Sequence, residues 1–180
     1  HRDGPADRAA LARRDPLGRE KRIAYDAFQL LPTTVTDALG LQRRANYDYR
    51  VFQPTLVTDI NNNRSQFFFS PLGFLTSIAC MGKEGEAVGD LPEVPGTRME
   101  YDFLAFANSP PRARKPIFVR TIQREHHIQD SDVPQDRKDH VIDRIEFFDG
   151  FGRRIQTRSV AQRVIFGNQL LGVDVIPADQ

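Results

Sequence analysis

The strongest constraint on this chain is an eleven-residue grid of turn signals. Asp15-Pro16-Leu17-Gly18 returns as Asp37-Ala38-Leu39-Gly40 and again as Asp59-Ile60-Asn61-Asn62. Midway between these lie Tyr25-Asp26 and Tyr47-Asp48, and Ser70-Pro71-Leu72-Gly73 follows at the next step. A chain that turns every eleven residues has room for one short strand per step, and two steps make a hairpin. An aspartate at the first turn position accepts a hydrogen bond from a backbone N–H two residues on. Glycine at the fourth position, or Asn62 in its place, tolerates the positive φ that such turns require. Asp15, Gly18, Asp37, Gly40, Asp59, Asn62 and Gly73 are therefore read as structural turn residues. Asp149 and Gly152, in the later copy Phe148-Asp149-Gly150-Phe151-Gly152-Arg153, join them.

Between turns the chain is rich in β-formers, with strands expected over 29–36, 43–47, 64–69 and 74–81. Five segments follow. Residues 1–14 are a tail or short helix, and 15–81 form a first hairpin block. Residues 82–96, rich in glycine, proline and acids, form a loop. Residues 97–160 make a second hairpin block, and 161–180 a C-terminal segment. Within the second block, 115–129 reads as one long strand or two bent ones, and 130–140 as a polar loop. The fold class is all-β, an array of antiparallel hairpins.

Composition narrows the function classes. With 39% hydrophobic and 27% charged residues the chain is globular in type. Twenty-five basic against 24 acidic residues leave a net charge of +1, so no nucleic-acid partner is expected. No apolar run is long enough for a membrane-spanning helix and no basic-then-apolar leader is seen, so no membrane contact and no signal peptide are expected in this segment. Cys80 is the sole cysteine, which rules out an internal disulfide and a zinc knuckle.

The ordered signatures resemble Rhs/YD repeats. The stretch Asn46-Tyr47-Asp48-Tyr49-Arg50-Val51-Phe52-Gln53-Pro54, followed by 57–65, Pro71-Leu72-Gly73 and Met81-Gly82-Lys83, is similar to the middle region of the insecticidal toxin complex (Tc toxin) B component and of SpvB-like virulence proteins. Arg124-Glu125-His126-His127 approaches an Arg-Glu-x-His pattern of that region. The resemblance covers roughly residues 15–160. Val51 and Ala105 stand where the repeat puts glycine, so irregular turns are expected there.

The resemblance implies a strip of a larger spiralling sheet shell, non-enzymatic and secreted or extracellular within a toxin assembly. It implies as partners the flanking Rhs repeats, a C-component-like shell partner and an enclosed toxin polypeptide. A secreted or surface Rhs module that contacts glycans or a partner protein is the alternative.

Other residues invite sharper readings, each with a plainer one beside it. His126, His127, Asp130 and Asp132 are the densest candidate metal ligands, but they lack a defined zinc spacing, and with Asp136 they fail the calcium-loop pattern. Glu84-Gly85-Glu86 has the Glu-x-Glu form of ADP-ribosyltransferases without the accompanying Ser-Thr-Ser. Cys80 sits in an apolar segment and reads as a packed side chain. Tyr25, Tyr47, Phe69, Tyr101 and Phe148 precede turns and read as cross-strand packing, with a ligand-stacking ladder as the alternative. Phe67, Phe68 and Phe69 alternate between faces, which implies cover on both sides there. No catalytic residue, cofactor or metal ligand is assigned.

Overall fold

The computed structural model describes residues 11–160. Among these residues eleven strands follow one another across the sheet in sequence order. They are β1 (Ala12–Arg14), β2 (Glu20–Tyr25), β3 (Pro32–Thr36), β4 (Gln42–Asp48), β5 (Gln53–Thr58), β6 (Arg64–Phe69), β7 (Leu75–Met81), β8 (Thr97–Asp102), β9 (Ile117–Arg124), β10 (Val141–Phe148) and β11 (Arg154–Ser159). The ladders from β1–β2 to β7–β8 are antiparallel, as is β10–β11. The fold is all-β, in agreement with the hairpin reading. The exception is one helical turn, α1 (Ala105–Asn108), at one of the two positions where the repeat lacks its glycine.

Two differences of detail have local causes. Ala12–Arg14, inside the segment read as tail or short helix, pair with Glu20–Arg22, because the Asp15 turn folds them back. The strand expected from residue 29 starts at Pro32, because Gln29 takes a left-handed φ of 57° and extends the turn. Residues 1–10 and the 161–180 segment lie outside the described residues.

The chain divides into two compact units. Among the described residues, one comprises 11–99 with Arg124–His140; the other comprises Glu100–Gln123 with 141–160. In the first unit the register sorts side chains by face, since successive residues of a strand point to opposite sides. Ile23 pairs with Val35, Val35 with Arg43, and Ala45 with Val57. Ile23, Tyr25, Val35, Ala45, Tyr47 and Val57 are half-buried, while Arg22, Ala24, Arg44 and Asn46 between them are exposed. One face of β2–β5 is thus largely apolar and the other polar. Among the described residues the only buried hydrophobics are Ala79 and Ala105. The large apolar side chains stop at partial burial, as expected of a sheet on which the described residues lay no second layer.

Candidate functional site

The hairpin turns repeat one hydrogen-bond design. Asp15 Oδ1 accepts the N–H groups of Leu17 and Arg19, both at 2.9 Å. Asp37 accepts those of Leu39 and Leu41, Asp59 those of Asn61 and Asn63, and Asp149 those of Phe151 and Arg153. Gly18, Gly40, Asn62 and Gly152 each donate N–H to the carbonyl of their aspartate. Their φ angles are 81°, 82°, 67° and 78°. Ser70 replaces aspartate in the turn closed by Gly73, its hydroxyl accepting the Phe74 N–H at 3.1 Å. Where arginine follows the glycine it reaches back, with Arg19 Nε and Arg153 Nε both 2.7 Å from their aspartates.

These donors set the electrostatics of the turns. The Arg19 guanidinium and the backbone N–H groups of Arg19 and Leu17 hold the Asp15 carboxyl below the usual carboxylate range. For Asp149 the backbone N–H of Arg153 leads and the Arg153 side chain adds to it.

The turns at Asp26, Asp48 and Ser70 share one end of the sheet, and they are linked to each other. Tyr49 donates its hydroxyl to Asp26 at 2.5 Å, and its ring meets Phe28 edge-on at 5.6 Å. Arg50 donates to the Ser70 carbonyl at 2.6 Å, and Val51 packs so closely on Gly73 that a Cβ there would lie 2.8 Å from its Cγ1. The irregular turn at Asp48 places φ of 52° on Phe52.

Each hairpin closed at this end carries a bulge just before its turn, between Ala24 and Tyr25, Asn46 and Tyr47, and Phe68 and Phe69. The extra residues are Thr33, Thr55 and Thr76, and each donates its hydroxyl across the ladder. The acceptors are the carbonyls of Ala24, Asn46 and Phe68, at 3.3, 3.3 and 3.1 Å. The β10–β11 hairpin has the same bulge between Phe147 and Phe148.

Among the described residues one charged side chain is buried. Asp90, in the 82–96 loop, is 2% exposed. Its Oδ2 accepts the Cys80 N–H at 2.9 Å and its Oδ1 lies 2.8 Å from His127 Nδ1. Gly96 leaves it room, since a Cβ there would sit 2.5 Å from Oδ2. Gln129 N–H donates to the Gly89 carbonyl and Lys138 Nζ to that of Ile128. Asp90 therefore ties β7, the 82–96 loop and the segment after β9 together.

No family model and no curated protein matches the chain. Solved structures do. The crystal structure of TcdB2-TccC3 is 22% identical, with a TM-score of 0.61, over 78% of this chain and 7% of that one. TcdB2-TccC3-TEV matches at 18% identity and TM-score 0.62, over 78% of this chain and 10% of that one. TcdB2-TccC3-Cdc42 matches at 16% identity and TM-score 0.58, with the same coverage. The chain has the Rhs-repeat fold of a Tc toxin B component. It spans a tenth or less of the length of these structures.

Within this Rhs-type sheet the remaining candidates fall into place. His127 faces Asp90, and its own N–H donates to Asp130 at 2.9 Å. No group of three or more His, Cys, Asp or Glu side chains converges among the described residues. Glu86 accepts the Lys83 N–H within its loop, and Cys80 is exposed rather than packed. Tyr47 donates its hydroxyl to the Pro32 carbonyl in the preceding hairpin at 3.0 Å, Tyr101 stacks on Phe103, and Phe147 meets Phe118. In the second unit Arg120 forks onto Asp143, with Nε 3.0 Å from each carboxylate oxygen. The buried Asp90 and the bulge threonines escaped sequence reading; the threonine spacing, at 33, 55 and 76, was the available signal.

Proposed function

We propose that the chain is a non-enzymatic strip of a toxin-enclosing Rhs shell, working with flanking repeats and a C-component-like partner in an extracellular toxin assembly. The observation that carries this reading is the single sheet of sequential hairpins whose large apolar residues remain half-exposed. Such a layer is completed by what lies against it, and a wall is the simplest use of it. The TM-scores near 0.6 to TcdB2-TccC3 structures support the same reading. Asp15, Gly18, Asp37, Gly40, Asp59, Asn62, Gly73, Asp149 and Gly152 act as turn formers, and no residue acts in catalysis or cofactor binding.

Cross-linking mass spectrometry on producing cells tests this. Lys21, Lys83, Lys115 and Lys138 should cross-link to further Rhs-repeat segments and to a polypeptide held inside them. Recovery of the chain free of any such segment would overturn the proposal.

A further inference from the structure

The first strands carry a charge arrangement that shell building does not require. Residues 11–44 hold seven basic and four acidic residues, net +3, against +1 for the whole chain. Arg13 and Lys21 are direct cross-strand partners. Like charges opposite each other in a ladder are destabilising, and the neighbouring pair Arg14–Glu20 shows the compensated alternative at 3.1 Å. Neither Arg13 nor Lys21 has an ion pair or side-chain hydrogen bond among the described residues, and both are exposed. Arg43 stands on the same face, joined through the Ile23–Val35–Arg43 row. An unpaired like-charge pair on the first strand of the sheet breaks a local rule, and such breaks concentrate at functional or strained sites.

The site has a shape. A hollow of about 650 Å³ lies between the turns at Asp15 and Asp37, with Arg13 and Lys21 beside Ile23 and the exposed Leu39. Among the described residues these turns have no turn-to-turn bond of the kind that links Asp26, Asp48 and Ser70 at the other end. Its lining also includes Asp15, Glu20 and Asp37. A continuous polyphosphate would meet these acids as well as the cations. A peptide whose carboxylates are spaced by apolar side chains meets cations and apolar walls in turn.

We infer that the Arg13–Lys21 corner is a docking site for an extended acidic-apolar polypeptide segment. The segment's carboxylates sit between Arg13, Lys21 and Arg43, and its apolar side chains rest on Ile23 and Leu39. Charge complementarity supplies specificity and encounter rate, so binding weakens as salt rises.

The test is fluorescence anisotropy of the 180-residue chain with a labelled, end-blocked peptide of alternating Asp and Leu. An alternating Lys-Leu peptide, single-stranded RNA and phosphatidylserine vesicles serve as competing probes. The Asp-Leu peptide is expected to bind best, and R13Q/K21Q to weaken it by about tenfold or more. The same variant should melt no lower than the parent, because a repulsive pair is removed; equal melting with unchanged peptide affinity overturns the inference. So does preferential binding of the Lys-Leu peptide, the RNA or the vesicles. R22Q, on the opposite face, is expected to leave affinity unchanged, and an equal loss there would reduce the site to general charge attraction and also overturn it.

Discussion

The Tyr47 hydroxyl reaches out of its own hairpin and donates to the Pro32 carbonyl of the one before it, at 3.0 Å. Tyr47 is half-buried, and burial pushes its phenol up from the ordinary value. Tyr47→Phe removes this inter-hairpin bond and keeps the ring. We expect a loss of about 0.5–1.5 kcal/mol in urea unfolding, with an unchanged m-value.

Two glycines separate backbone strain from crowding. Gly40 and Gly73 have nearly equal φ, 82° and 85°, but a Cβ at Gly40 meets nothing within 4 Å while one at Gly73 meets Val51 at 2.8 Å. Gly40→Ala is expected to cost about 1–2 kcal/mol from the left-handed backbone alone. Gly73→Ala should cost more, and Gly73→Ala in a Val51→Ala background should fall back toward the Gly40→Ala value. Paired denaturant melts check this.

Asp90 supports three chain segments at once. Asp90→Ala leaves the Cys80 N–H without its acceptor in a closed site, at a cost of about 1–3 kcal/mol. His127→Ala should cost less, because its ring is half exposed and water replaces its bond. Hydrogen exchange should show faster opening at Cys80 and Gln129 in the Asp90 variant, and much less change there in the His127 variant.

The turn carboxylates fix a pH dependence. Asp15 and Asp149 titrate below their ordinary values because arginine side chains and backbone N–H groups favour the ionised form. A depressed folded value means that the stabilisation is fully present above the unfolded carboxylate pKa of about 4 and is lost as pH falls through the folded values. The β signal in circular dichroism should therefore hold from neutrality to about pH 4 and decline below it. Asp15→Asn/Asp149→Asn should flatten that decline.

The turns were legible because their chemistry is local. Asp37 and Gly40 are three residues apart, and their bonds close within five, so the pattern shows in a short window of sequence. The bulges were hidden for the opposite reason. An extra residue such as Thr55 shifts the return strand without disturbing the eleven-residue grid, and its acceptor at Asn46 lies nine residues back. Gln29 and Phe52 adopt left-handed backbone that neither residue type advertises, and Gln29 is why β3 begins later than its β-forming sequence suggests. Asp90 looked like any acid in a glycine-rich loop. Its partner His127 lies 37 residues away, and no local pattern encodes that contact. The apolar and polar faces of β2–β5 were implicit in the alternation, but assigning them needed the register.

The central claim is that this sheet is one layer of a larger wall. The most direct measurement is light scattering of the purified chain over a concentration series, paired with circular dichroism and thermal melting. The account predicts a β spectrum, association that grows with concentration through the uncovered sheet, and a broad melt. A β-rich monomer at all concentrations with one sharp cooperative melt would contradict it, and would make the chain a self-contained binding module.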